Sequence, residues 1–493
     1  MELFLINNAY KYAVEQIMLM LFPGESPVYP ESPSGALRAE LKLSEGERLV
    51  TATCLITDGE GQSYFGKAAV SKSCFTDHIV EQRLRQRAVK LSFYRAGVKK
   101  LGKKPVWGAL SGIRPGKLMS DLLDSGLSDR AALSAFVKNY DADREKAELC
   151  LHTAHASRRV TEKLGKKDIC LYLGVPFCPT RCAYCSFVSQ SVEKSMKLIP
   201  PFVEALMQDI EATAETVRYL GLNVIAIYLG GGTPTTLSAE QLDRVLGALH
   251  EKFDLRNCRE ITVEAGRPDT ITRDKLIVMS RHGVSRVSVN PQTMSDHVLE
   301  TIGRRHTAED VLKALALVRE VGGFQVNMDL IAGLPEDTPE SFAKTMETVL
   351  ALRPENITVH TLSLKKGSRI TLEGTRIPSA EEVEEMVEIS RRGLVEGGYA
   401  PYYLYRQKFM SGGLENVGWG LPGTDNLYNI CIMEELCTII AMGAGASTKL
   451  VTGTGRLERF FAPKYPAEYI ADIEKTCAKK TIIKEFYDEL SAD

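Results

Sequence analysis

The sequence predicts an α/β fold: six strand and helix pairs forming a parallel sheet, with an α+β region before them and a small mixed region after. Three observations predict it. From about residue 168, short apolar, β-branched runs alternate with helical patterns, the signature of βαβ units. The helix starts between these runs carry their own signals: Ser238 precedes an apolar-periodic run, and Thr338-Pro339 places proline in a first turn. Polar and glycine-rich punctuation repeatedly follows the C-terminal ends of the strands, where an α/β barrel collects its chemistry. Strands buried on both faces and joined by right-handed crossovers form an open sheet or curl into a complete or partial barrel.

The elements follow in order. Residues 1–165 mix α and β, with "LVTATCLITDGEGQSYFGKAAV" reading as a hairpin that turns at Asp58-Gly59. A basic helical stretch, "EQRLRQRAVKLSFYRAGVKKLGKK", comes next, either a solvated face or a docking surface for an acidic redox partner or an anionic substrate. The turn-rich "GALSGIRPGKL" follows it. Residues 166–398 hold the strands "CLYLGVPF", "VIAIYLGG", "EITVEAG", "RVSVNPQ", "QVNMDLIAG" and "NITVHTLSL". Helices such as "PFVEALMQDIEATAETVRYL" and "AEDVLKALALVREVG" separate them, and "SAEEVEEMVEISRRGLVEGG" follows the last. Residues 399–493 read as irregular and glycine-rich before a terminal helical pattern.

Composition narrows the function. With 61 basic and 63 acidic residues, a formal charge of -2 provides no bulk attraction to nucleic acid or anionic membrane. The start of the chain does not read as a secretory signal, and no apolar run approaches the roughly 18 residues of a membrane span. A cytoplasmic location is expected. An odd cysteine count of 11 argues against a disulfide framework in that compartment, and the scattered Cys54, Cys74, Cys150, Cys258 and Cys477 read as inert thiols.

"CPTRCAYCSF" concentrates Cys178, Cys182 and Cys185 in one loop. A structural zinc site closes with four ligands, yet the loop has no second cysteine pair and no histidine, His152 and His155 lie far upstream, and Cys170 is a conceivable fourth ligand only at the preceding strand's start. Three thiolates can instead hold three irons of a cubane cluster and leave the fourth open to a ligand. Phe177, Tyr184 and Phe187 interleave with these cysteines, to exclude water or simply to pack. Cys431 and Cys437 read as packing on a buried helix or as a second centre.

The other strand ends carry groups for a charged, hydroxyl-bearing cofactor. Gly230, Gly231 and Gly232 precede Thr233 after the second strand, where bare backbone lets a ligand approach. Glu264 ends the third strand, where a carboxylate suits ribose hydroxyls; Gln292 and Asp329 end the fourth and fifth, with Arg304 between them.

CxxxCxxC after a first barrel strand is the signature of the radical S-adenosylmethionine enzymes. In addition, "LYLGVPFCPTRCAYCSF", "YLGGGTPTTL", "VEAGRPDT", "VSVNPQT", "TIGRRHTAED", "MDLIAGLPEDT", "ENVGWGLPGTDNLYN" and "GAGAS" occur in order. The chain thereby resembles the oxygen-independent coproporphyrinogen III oxidases (dehydrogenases), and "LSGIRPGKL" makes it most similar to their HemZ-type branch. The resemblance implies a partial (β/α)6 TIM-like barrel of the radical SAM type. It also implies one 4Fe-4S cluster on Cys178, Cys182 and Cys185, with one or two molecules of S-adenosylmethionine. Gly231, Gly232 and Thr233 would face its methionyl end and Glu264 its ribose; Gln292, Arg304 and Asp329 match further cofactor contacts, and Tyr172 the tyrosine before the loop.

The family reaction is removal of a hydrogen atom from a propionate β-carbon by a 5'-deoxyadenosyl radical, then loss of carbon dioxide and an electron to leave a vinyl group. Implied partners are coproporphyrinogen III or a related tetrapyrrole and a flavodoxin- or ferredoxin-type electron donor. Candidate partners for the propionates are Tyr405, Arg406, Arg114 and Lys117. Two positions depart from the oxidase pattern: Gly174 stands where a histidine is common, and Phe187 where a further cysteine is common, the latter shared with the haem-chaperone branch. A haem-binding or haem-inserting protein of similar fold, and a radical enzyme that methylates or opens haem, are the alternatives.

Overall fold

The hairpin predicted at Asp58 forms: Leu49–Thr57 and Ser63–Ser71 pair antiparallel with Thr57 opposite Ser63. Asp58 Oδ1 closes the turn by accepting hydrogen bonds from the backbone N–H groups of Glu60 and Gln62, at 3.2 and 3.0 Å. The structure, a computed structural model, describes residues 1–32, 35–112, 114–185, 190–363, 375–407, 413–452 and 456–492. Within it the chain divides into two units, Met1–Leu151 and His152–Asp493.

In the first unit, Glu2–Ile6 runs parallel to Arg38–Glu45, and the hairpin completes a four-stranded sheet. The basic stretch is the helix His78–Leu101, started by Asp77, whose carboxylate accepts from Val80 N–H at 2.8 Å, and stopped by left-handed Gly102. Its buried residues Ala88, Val89, Phe93 and Tyr94 join a core that includes Ile17, Met18 and Ile56. Several of its cations face carboxylates of the same unit: Arg85 meets Glu45 and Glu81, each at 2.7 Å, and Lys100 meets Asp58 at 3.0 Å. Much of the basic run is thus matched internally. Arg114 and Lys117 of "GIRPGK" also belong to this unit, at the start of the helix Pro115–Asp124.

The second unit is built on an eleven-stranded sheet. All six predicted strands are present, side by side in sequence order and parallel: Asp168–Val175, Asn223–Gly231, Glu260–Val263, Arg286–Ser288, Gln325–Ala332 and Asn356–Thr361. Crossover helices intervene, among them Ile199–Leu220, Ala239–Lys252, Arg273–Arg281, Ala308–Val321 and Pro339–Leu352. Ser238 and Gln241 form a capping box at one start, and Thr338 caps another with Pro339 in its first turn. The sheet keeps two edges, Ala400–Tyr405 and Leu457–Phe461, so the (β/α)6 arrangement is open.

The stretch after residue 400, read as irregular, supplies five strands to this same sheet. Asn416–Gly420 and Ala400–Tyr405 extend it antiparallel beyond Asn356–Thr361. At the other end Thr438–Gly443 lies parallel to Asp168–Val175, followed by Ser447–Val451 and Leu457–Phe461. In Asn416–Gly420 the glycine that weakens the strand signal has a packing reason: a Cβ on Gly418 would lie 1.9 Å from the Tyr403 ring, so only glycine lets that ring cross the strand. Fully buried Asp209, on Ile199–Leu220, pairs with Lys480 at 2.8 Å, accepts the Tyr469 hydroxyl at 2.8 Å and accepts Gly443 N–H at 3.1 Å. One carboxylate therefore ties the terminal helices to the strand Thr438–Gly443.

Candidate active site

The register of the first two parallel strands sets the site. Tyr172, Leu173 and Gly174 pair with Tyr228, Leu229 and Gly230, so the tripeptide "YLG" repeats side by side and both strands end together at Val175 and Gly231. Beyond that edge, Gly232 N–H donates to Val175 O at 2.7 Å and Thr233 N–H to Phe177 O at 2.7 Å, locking the glycine turn onto the root of the cysteine loop. Gly231 has φ of +104°, and a Cβ on Gly232 would lie 2.4 Å from Phe177 O. Side chains are excluded at both positions, which leaves bare backbone at the strand ends.

Cys178, Cys182 and Cys185 occupy the loop and are half-buried, whereas Cys54, Cys150, Cys170, Cys431 and Cys437 are buried. Polar groups from neighbouring strand ends reach them. The Thr233 hydroxyl donates to Cys178 Sγ at 3.5 Å, and the Arg267 guanidinium lies 3.8 Å from Cys182 Sγ while donating to the Thr180 hydroxyl at 3.1 Å. Arg304, also buried, donates to Asn290 O at 2.6 Å and to the Tyr184 hydroxyl at 3.2 Å. Two buried guanidiniums thus stand beside the loop, and their positive charge suits an anionic centre there. Phe177 packs edge-on against Phe202, and Tyr184 against Val298, Leu299 and Ile302. Phe187 lies outside the described residues.

Glu264 follows the third strand, its N–H donating to Leu229 O at 2.9 Å. The Tyr228 hydroxyl donates to its Oε1 at 2.5 Å. Loss of hydration at the crowded strand ends pushes this carboxyl up to about 7, and the nearby Asp329 charge adds to the rise. Burial raises Tyr228 well above the usual phenol range, so it remains a donor. Tyr172, Tyr228 and Tyr428 stack, with centroids 4.5 to 6.3 Å apart. Tyr428 arrives on the helix Leu427–Glu434, whose first N–H groups are accepted by the buried Glu260 carboxylate.

Gln292 and Asp329 are locked together. Gln292 has φ of +68°, in the left-handed region that non-glycine residues seldom adopt, and its N–H donates to Asp329 O at 2.9 Å while its carbonyl accepts from Ile331 N–H at 3.0 Å. Asn290 and Asn327 each donate to the Asp329 carboxylate at 2.8 Å, and His360 Nε2 stands 3.9 Å from it. Tyr405 joins this edge through His360 Nδ1, 3.5 Å from its hydroxyl, whereas Arg406 turns to the Gly413 carbonyl at 2.5 Å.

Of the predicted site residues of this unit, Gly231 ends a strand and Cys178, Cys182, Cys185, Gly232, Thr233, Glu264 and Gln292 follow strand ends, whereas Tyr172 and Asp329, the latter expected at the end of the fifth strand, lie inside strands and Arg304 follows the helix Asp296–Thr301. Sequence reasoning missed Arg267, Tyr228, Tyr428 and His360. The repeated "YLG" was a signal for Tyr228, and "EAGR" placed Arg267 three residues past Glu264; nothing local marked Tyr428.

Comparison with known proteins follows the same residues. Residues 172–349 match the Radical SAM superfamily model. The oxygen-independent coproporphyrinogen-III oxidase-like protein HemZ of Bacillus subtilis is 41% identical over 369 residues, 74% of this chain and 74% of its own. The chain belongs to this radical SAM family. Another relative, the heme chaperone HemW of Lactococcus lactis, is 31% identical over 284 residues, 56% of this chain and 68% of its own. The solved structure of coproporphyrinogen III oxidase (HemN) from Escherichia coli shares the fold, at a TM-score of 0.51 and 22% identity, over 66% of this chain and 73% of that one.

Radical SAM proteins use a 4Fe-4S cluster and S-adenosylmethionine. The donor set fits both: three half-buried thiols on one loop, cations beside them, and bare backbone with a carboxylate at the adjoining strand ends. Among the described residues no helix is long and apolar enough to cross a membrane.

Proposed function

We propose that this protein decarboxylates propionate side chains of coproporphyrinogen III to vinyl groups without oxygen, yielding protoporphyrinogen IX. The observation that carries the reading is the similarity to the HemZ oxidase-like protein along three quarters of both chains, combined with a complete donor set at the strand ends. Cys178, Cys182 and Cys185 are the cluster ligands. Gly231, Gly232 and Thr233 receive the methionyl end of S-adenosylmethionine, and Glu264 its ribose hydroxyls. When bound, the two cofactors supply the radical that removes hydrogen from the substrate.

The chain's own residues orient and insulate that chemistry. Tyr228 fixes one oxygen of Glu264, and the Gly231 N–H also donates to this carboxylate, which holds it at the strand ends. The tyrosine stack walls the cofactor side against water, with the Tyr172 hydroxyl beside Gly231 and Tyr228 and Tyr428 packed closest to each other. Gln292, Arg304 and Asp329 shape the far side through the contacts around Asn290. Residues 399–493 contribute Tyr405 to the substrate side, and a flavodoxin- or ferredoxin-type protein delivers electrons at the half-buried loop.

Anaerobic incubation of reconstituted protein with a reductant, S-adenosylmethionine and coproporphyrinogen III tests this by mass spectrometry. Successive losses of carbon dioxide matched by 5'-deoxyadenosine support it. The HemW relative favours a second reading, haem delivery. Stoichiometric haem capture with propionates intact would establish that one instead, and cofactor cleavage that alters haem would point to a haem-modifying enzyme.

A further inference from the structure

A second group of three cysteines lies apart from the cluster loop. Among the described residues, the one set of three or more His, Cys, Asp or Glu ligand atoms lying within 4.8 Å of one another is the sulfurs of Cys170, Cys431 and Cys437. They come from three elements: the strand Asp168–Val175, the helix Leu427–Glu434, and the residue before the strand Thr438–Gly443. Cys170 Sγ and Cys437 Sγ are 3.7 Å apart. All three are buried, in a pocket of Ile225, Ala226, Tyr428 and Ile439, with no histidine or carboxylate in the set.

We infer that Cys170, Cys431 and Cys437 form a binding site for one thiophilic monovalent cation, with copper(I) the best match. With metal–sulfur bonds of about 2.3 Å, three sulfurs in a plane around one ion stand about 4 Å apart. The observed spacing has that scale. A structural zinc ion closes its site with four ligands, and this set offers three. An all-thiolate set selects soft ions. Binding forms copper–sulfur bonds in place of S–H bonds, the displaced protons leave to solvent, and no oxidation state changes. The ion would clamp the helix carrying Tyr428 to the strand that precedes the cluster loop.

The test loads cluster-containing protein, without oxygen, with copper(I) held by a competing chromogenic chelator. One copper per chain is expected to remain after desalting, with X-ray absorption showing only sulfur neighbours, about three of them at about 2.3 Å. Cys431→Ser and Cys437→Ala should each weaken retention at least about tenfold, while Cys182→Ala leaves it unchanged. No retained copper, or nitrogen and oxygen neighbours in the unaltered protein, would overturn the assignment whatever the variants do. Loss of copper in Cys182→Ala but not in Cys431→Ser would move the metal to the loop and overturn it equally.

Discussion

The strand Asp168–Val175 has a cysteine trio associated with each of its halves, and the two trios live in opposite surroundings. Cys178, Cys182 and Cys185 follow the strand's end on one half-buried loop, with the Thr233 hydroxyl and the Arg267 guanidinium close to two of the sulfurs. Cys170, near the strand's start, meets Cys431 and Cys437 in an apolar pocket. The chemistry of a thiol group is decided by what else can reach it. Donors and an open face suit a redox-active cluster with a vacant iron, whereas a dry, converging trio suits one small soft ion.

The sharpest way to break this contrast is to remove one sulfur from each trio. Cys182→Ala should lose most of the expected complement of about four irons and at least about a thousandfold of 5'-deoxyadenosine formation, while Cys431→Ser keeps its iron. Iron analysis with electron paramagnetic resonance of the reduced protein decides between them. Equal iron in both variants would end the assignment of the loop trio.

Next in size is the anchor behind the buried trio. Asp209→Asn leaves Lys480 buried without its counter-charge and loosens Gly443, at an expected cost of about 3–5 kcal/mol in urea unfolding. Its effect on thiol accessibility should be one-sided: Cys437 becomes more reactive toward alkylation, and the loop cysteines stay as they were.

A smaller effect concerns the loop's cofactor side alone. Burial pushes the Glu264 carboxyl up to about 7, and in the proposed role its ionised form would accept ribose hydroxyls. S-adenosylmethionine affinity should therefore rise by about tenfold as pH increases through 7, and calorimetry on Glu264→Gln should give a weaker and flatter profile. A wild-type affinity independent of pH between 6 and about 8 would remove Glu264 from ribose binding. The smallest change expected is Cys431→Val, which keeps the pocket apolar and should cost no more than about 1.5 kcal/mol in metal-free protein.

What could be read without the fold was whatever lies close together in the chain. The spacing of Cys178, Cys182 and Cys185, the six β-branched runs and the polar residue at each strand end are local patterns, because a strand or helix is specified by neighbouring residues. Of the strands after residue 400, Asn416–Gly420 was hidden because Gly418, packed against the Tyr403 ring, weakens the local signal for a strand.

The sequence by itself thus determined the α/β class and marked the cysteine loop and the polar residues around the strand ends as the candidate site. Tertiary structure alone decided that Thr438–Gly443 lies beside Asp168–Val175, which brings Cys437 within 3.7 Å of a cysteine 267 positions earlier. It also decided that Tyr428 stacks on Tyr172 and Tyr228, and that His360 bridges Tyr405 toward Asp329. The physical reason is strand order: hydrogen bonding between strands joins distant segments, and no local periodicity records which neighbours the sheet will choose.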